Sequence, residues 1–412
     1  MLSIWANGNY PVSANPWSGT PYQVDPNYTA FTPGQAPSAQ EMNFIVAGLL
    51  AGCQAAQTDA VNFSANTLPS GFAHPRSAVF DPTRGLWLLG GISPPTAGPA
   101  IQYNYGGDHA LWSAGAMTIP GSAGQSIVGL GVSPLGKNYF AACTDGAGTF
   151  VDFYSGDVGA TWHNITSFLG TTTHAEYLTF NGNLVGAFGA SGANAFIDVI
   201  TNPDAATPGG WTSTTVTGVT AAEWLLKASP TVAVAIPRNA GATTYYTSAN
   251  GTTWTTRTFD SSIVAGPDTP MTLTYNAALA LFVLAVFVGT GGNPTRIATS
   301  QDGVTWTAIH TIGTSFTGPG LYLADLTSVN AILVGVTNDN ATVAPQAAAG
   351  VSRVVYSPDG GNSWYFSPAV LGAGDSSVQR PRVHSSGASV LAFNAANTRL
   401  GNALGLNGSA LT

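Results

Sequence analysis

At 412 residues the chain has room for one large repeat domain and a short extra segment, and only 7% of it is charged. A net charge of −8, with two Lys and nine Arg, argues against nucleic acid and anionic membrane surfaces as partners. The 50 Gly, with abundant Ala, Thr, Ser and Asn, mark a turn-rich, all-β composition; Cys53 and Cys143 form neither a disulfide framework nor a metal pattern and read as buried small hydrophobes.

The first residues lack the basic and apolar regions of a secretory signal. The longest apolar run, 277–288, is too short to cross a bilayer and reads as a buried hairpin strand, so no membrane insertion is expected. Residues 1–36 carry almost no charge but many aromatics, among them Trp5, Tyr10, Trp17, Tyr22 and Phe31. That is too apolar for a disordered tail and predicts an extended arm packed on something. In 37–71, Pro37 precedes Ser38 as N-cap, and Glu41 completes a capping box. Met42, Ile45, Leu49, Gly52 and Ala56 follow at helical spacing to about Asn62. This helix packs on the side of the domain that follows, or forms a self-associating seam, such as a trimer.

The run 31–43, FTPGQAPSAQEMN, resembles the PG-x-x-PSAxExN segment near the start of many bacteriophage tail-fibre and virion-appendage proteins. The resemblance covers about a dozen residues. There the segment lies at the end that docks the appendage to the particle. It implies that Trp5, Trp17, Phe31, Ser38, Glu41, Met42, Ile45 and Leu49 face other virion proteins.

From residue 72 a repeat takes over. Its clearest copy is Ser357-Pro358-Asp359-Gly360-Gly361-Asn362-Ser363-Trp364. The carboxylate and hydroxyl can accept backbone N–H bonds inside the turn, the Gly supplies a conformation that a Cβ resists, and the Trp opens the return strand. Good copies hold Asp157 with Trp162, Asn250 with Trp254, and Asp302 with Trp306; weaker ones hold Asp108, Asp204 and Asn407. The spacings between successive copies are 49, 47, 46, 52, 57 and 48. Strand-rich repeats of that length are propeller blades. Each unit reads as strand, short turn, strand, longer loop, strand, box, strand. Seven hairpins and seven boxes predict a seven-bladed β-propeller over 72–412. The eroded last box makes the final blade the weak one, with a strand borrowed from 61–72 as the alternative.

The boxes resemble the Asp-box (BNR) repeats of sialidase-like propellers. That family includes sialidases, xyloglucan hydrolases, sortilin-type receptors and photosystem assembly factors, so the resemblance implies architecture and leaves function open. It also implies a ligand face opposite the boxes, over the central channel. There the long loops 92–100, 338–351 and 368–381 would surround Arg76, Glu176, Glu223, Tyr322, Arg380 and Arg382. Glycoside hydrolysis needs a pair of carboxylates at that mouth. The chain has three Glu in all, and Glu176 and Glu223 occupy equivalent repeat positions, which suggests repetition rather than an acid/base pair. The F/Y-R-I-P strand of sialidases is absent; the nearest segment is His74-Pro75-Arg76-Ser77. No catalytic residue, metal or cofactor is expected, and the histidines show no metal spacing. The boxes are expected to be structural. The expectation is a virion structural protein, displayed on the particle and adhering to a host-surface glycan or receptor. A glycoside hydrolase and a bacterial assembly-factor propeller are the alternatives.

Overall fold

The computed structural model describes residues 62–66, 72–92, 99–105, 117–118, 126–144, 150–165, 175–191, 194–217, 219, 223–289, 295–312, 321–339, 351–373, 382–387, 389–393 and 398–402. The predicted arm over 1–36, the helix after it and the last box at Asn407 lie outside them. Among the described residues every regular element is a strand. The first, β1 (Asn62–Asn66), precedes the repeats. Then follow β2 (Ala73–Asp81), β3 (Leu86–Ile92), β4 (Pro99–Tyr105) and β5 (Met117–Thr118); β6 (Ser126–Val132), β7 (Tyr139–Thr144), β8 (Phe150–Ser155) and β9 (His163–Ile165); β10 (Ala175–Phe180), β11 (Asn183–Ser191), β12 (Asn194–Ile200) and β13 (Thr212–Thr217). The second half has β14 (Trp224–Ala228), β15 (Ala233–Pro237), β16 (Thr244–Ser248) and β17 (Thr255–Thr258); β18 (Thr269–Asn276), β19 (Leu281–Phe287), β20 (Thr295–Ser300) and β21 (Thr307–Ile312); β22 (Leu321–Val329), β23 (Ile332–Asp339), β24 (Val351–Ser357) and β25 (Tyr365–Ala373); and β26 (Arg382–Ser385), β27 (Ser389–Phe393) and β28 (Thr398–Asn402).

These strands pair antiparallel in four-stranded sheets, and the architecture is an all-β propeller. Six sheets are each built from four consecutive strands, beginning at β2, β6, β10, β14, β18 and β22. The last three strands are completed from the other end of the chain, in the order β1-β28-β27-β26, with Asn62 opposite Asn402 and Asn66 opposite Thr398. The sequence reading expects seven blades, the last of them weak, with a strand borrowed from 61–72 as its alternative. Six are of like construction; residues 62–66, placed before the repeats by the boundary at 72, form the outer strand of the remaining sheet. The first strands of successive sheets are neighbours in a ring, and β26 meets β2.

Burial falls from the second strands to the outer ones. Second strands are sandwiched by the adjoining sheets on both faces, so they read as continuous apolar runs rather than alternations. β15, Ala-Val-Ala-Ile-Pro, is buried throughout, and β19 is buried over its five central residues. Outer strands β17 and β21 are mostly exposed. Close approach of sheets fixes some residues: a Cβ on Gly90 would stand 2.6 Å from Ile127 of the next sheet. Cys143 is buried and unpaired; Cys53 lies outside the described residues.

The four good boxes share one hydrogen-bond pattern. Ser155, Ser248, Ser300 and Ser357 donate to Oδ1 of Asp157, Asn250, Asp302 and Asp359 at 2.8, 3.1, 3.0 and 2.9 Å. Each Ser Oγ also accepts the N–H of a box Gly, at 2.7 to 2.9 Å. The same Oδ1 accepts the N–H of Thr161, Thr253, Thr305 or Ser363, at 2.7 to 2.8 Å. The shorter boxes need one left-handed residue, Gly251 or Gly303, whereas the longer ones need two, Val158-Gly159 and Gly360-Gly361. The Thr161 hydroxyl and N–H pull the Asp157 carboxyl down to about 2. At Asp302 burial opposes ionisation, but the N–H groups of Thr305 and Val304 outweigh it and hold that carboxyl at about 2. Asp359→Ala and Trp364→Ala are each expected to destabilise the fold by about 1–4 kcal/mol. The first removes the turn's common acceptor; the second removes a 7%-exposed indole that donates to Gly361 O at 2.9 Å. Thermal melts check both, and an unchanged melting temperature in Asp359→Ala would contradict the structural role.

Asp204 departs from the expected pattern. Its carboxylate accepts the N–H of Leu135, at 3.2 Å, from the turn between β6 and β7 of the preceding sheet. Asn138 of that turn donates Nδ2 to Pro203 O and Ala205 O, both at 2.7 Å. This longer turn therefore ties two sheets together instead of satisfying itself. Asp108 lies outside the described residues.

Candidate functional site

The ring of first strands gathers the chain's scarce charges along the axis. Arg76 comes from β2, Glu176 from β10, Lys227 from β14, Asp325 from β22, and Arg382 and His384 from β26. Arg76, Glu176, Lys227, Arg382 and His384 line a cavity of about 330 Å³. Arg382 is 5% exposed. Its Nη1 donates to Glu176 Oε1 at 3.1 Å and lies 3.9 Å from Asp325 Oδ2. Burial opposes the guanidinium charge, but Glu176, Asp325 and Glu223 outweigh it and raise the group above its usual range. Burial lowers Arg76.

The other acids at this end of the strands are also engaged. Asp325 Oδ1 accepts from Thr272 Oγ1 and from its neighbour's Leu326 N–H, both at 3.0 Å, and Oδ2 accepts the Val383 N–H at 3.1 Å. One carboxylate thus joins β18, β22 and β26. Glu223, just before β14, is hydrogen-bonded to Arg238, whose Nε donates to Met271 O at 3.1 Å. Asp268, just before β18, accepts from Arg296 at 2.9 Å and from the Ala265 N–H at 2.9 Å. His384 stacks on Phe393, with centroids 5.7 Å apart. Burial lowers its imidazole to about 4, with Lys227 and Arg382 acting in the same direction. Its Nε2 is buried with no hydrogen-bond partner among the described residues.

Of the sequence-predicted ligand face, the structure brings Glu176 and Arg382 into contact, sets Arg76 on the same cavity, and ties Glu223 to Arg238 at the edge. Tyr322 lies in β22, and Arg380 falls outside the described residues, as do 93–98, 340–350 and 374–381 of the long loops. The docking residues from Trp5 to Leu49 are outside them too. Sequence reasoning missed Lys227, Asp325 and Arg238. It also missed two buried acids away from the axis. Burial raises Asp152 of β8 well above the usual carboxylate range, with Tyr177 donating to its Oδ1 at 3.1 Å. Burial pushes Asp198 of β12 up to about 7, against a smaller lowering by Ser213, its cross-strand neighbour on β13. A signal was present: Gln102, Asp152 and Asp198 recur 50 and 46 residues apart inside otherwise apolar third strands. Among the described residues no three His, Cys, Asp or Glu are grouped to hold a metal ion.

No protein-family model and no curated protein matches the sequence. Solved structures are similar in fold at low identity. YCF48 from Cyanidioschyzon merolae is 13% identical with a TM-score of 0.55, over 82% of this chain and 98% of that one. The β-propeller domain of Cps50 (Swd1) from Myceliophteria thermophila is 12% identical with a TM-score of 0.51, over 83% and 99%. The GH74 enzyme of Niastella koreensis is 15% identical with a TM-score of 0.50, over 82% of this chain and 53% of that one. Such likeness shows the propeller fold alone.

Proposed function

We propose that this chain is a seven-bladed, Asp-box-type propeller without catalytic activity, anchored to a virus particle by its N-terminal segment and displayed for adhesion to a host-surface glycan. The observation that carries the non-catalytic reading is the engagement of Glu176, Glu223, Asp268 and Asp325 by Arg side chains, hydroxyls and backbone N–H groups. Hydrolysis of a glycoside needs one carboxyl free to give a proton and a second placed to activate water or attack the sugar. Here the acids serve as fixed acceptors, and Glu176 and Asp325 tie first strands of the ring together. The sheet that joins residues 62–66 to the last three strands supports the seventh blade, since such a composite blade closes a propeller ring. The resemblance of residues 31–43 to virion-appendage segments supports the particle as anchor. The hydrolase alternative, to which the likeness to a GH74 enzyme belongs, needs Glu176 as a reacting group.

The test uses the purified full chain and polysaccharide from the host surface. Binding without release of reducing ends is expected, together with detection of the chain in purified particles. Release of reducing ends that disappears in Glu176→Gln would replace the adhesion reading with the hydrolase, and absence from particles would remove the anchor.

A further inference from the structure

Propeller sheets diverge with distance from the axis, so the wedge between neighbours must be filled by large side chains or left open. Between the sheets β14–β17 and β18–β21 it is filled. Tyr245, Phe259 and Trp306 form an aromatic cluster there, with centroids 4.2, 5.8 and 6.3 Å apart. One wedge earlier, between β10–β13 and β14–β17, Val216 stands five residues after Trp211, as Phe259 stands five residues after Trp254. The smaller side chain leaves a groove of about 360 Å³ lined by Thr214, Thr244, Tyr246, Trp254, Thr256 and Val219, among others.

We propose that this groove is a binding site for a neutral saccharide unit. The inference rests on the adhesion reading and gives it a ligand class and a place away from the channel. Tyr246 is 7% exposed, and its ring lies 5.9 Å from Trp224. The mostly buried Tyr246 forms part of the groove wall. Thr244 is next but one to Tyr246 on β16, and Thr256 is its cross-strand partner on β17, so all three share one face. Arg257 belongs to the other face, where its Nε donates to Thr247 Oγ1 at 3.2 Å. Among the described residues no charged side chain lines the groove. A charged ligand would lose its hydration there without gaining a counter-ion. An apolar ligand would leave the Tyr246 and Thr hydroxyls unmatched. A sugar ring meets both conditions: its hydroxyls donate and accept as these do, and its C–H face suits the half-buried Trp254 indole.

The experiment measures binding of the full chain to neutral methyl glycosides of glucose, galactose, mannose and N-acetylglucosamine by calorimetry and saturation-transfer NMR, with host polysaccharide run in parallel. Binding of at least one glycoside is expected. Tyr246→Phe is expected to weaken it roughly tenfold, and Thr256→Leu, which fills the groove from an exposed strand position, to abolish it. The melting temperature of both variants is expected to stay that of the parent. Unchanged affinity in both folded variants, with host polysaccharide still bound, would overturn the groove and leave the adhesion reading standing. No binding of any glycoside or polysaccharide by the parent protein would overturn both.

Discussion

Replacing Arg382 by Met is expected to destabilise the propeller by about 3–5 kcal/mol, because it removes the cation from two carboxylates that remain in place. The side chains of Arg382, Glu176 and Asp325 are 6%, 13% and 12% exposed. Mutual attraction at such burial offsets desolvation only while both signs are present. Asp325 keeps three other donors, whereas Glu176 loses the Arg382 guanidinium that donates to its Oε1. The double variant Arg382→Met with Glu176→Gln is therefore expected to recover part of the loss. Urea unfolding of the two variants and the parent measures this. A single variant within about 1 kcal/mol of the parent would show that water, not the guanidinium, balances these acids.

The second large effect is a dependence of stability on pH that Asp198 imposes. Burial holds its carboxyl at about 7 in the folded chain, against 3.8 for the free group. The folded state thus keeps a proton that the unfolded chain gives up near pH 4. The stability this supplies is complete below about pH 4 and is lost as pH rises through 7; a gap of about three units corresponds to roughly 4 kcal/mol. Asp157 and Asp302 act with the opposite sign, since their lowered carboxyls stabilise the fold above the usual carboxylate range and cease to do so as pH falls towards 2. The comparison that isolates Asp198 is the difference between the parent and Asp198→Asn as pH varies. The variant is expected to gain on the parent by several kcal/mol between about pH 4 and 8, whatever its absolute stability. Parallel curves over that range would mean that the carboxyl ionises in the folded state as freely as in water.

The two effects also separate kinds of acid in one fold. Asp157, Asp302 and Asp359 sit in turns whose donors lie within four residues of them. Asp198 sits mid-strand, where neighbouring sheets exclude water and backbone donors are taken by the ladder. The same side chain is a satisfied acceptor in one setting and a protonated core group in the other, and burial decides between them.

Sequence alone determined the repeat, its strand–turn–strand order and the bonding of the good boxes. Every bond in those turns links residues close in the chain, so residue type and spacing specify them without reference to the rest of the fold. It also placed Arg76, Glu176 and Arg382 at the starts of first strands, because repeat position is itself local information. Spacing failed at Asp204, whose partner Leu135 is 69 residues away, on the preceding sheet. Tertiary structure alone decided that Arg382 meets Glu176 across 206 residues and that a wedge between sheets stays open where Val216 stands, and it chose the strand from 62–66 over the last box as the edge of the final sheet. Each of these depends on the ring bringing distant segments together, and on the volume left between sheets, which no single repeat contains.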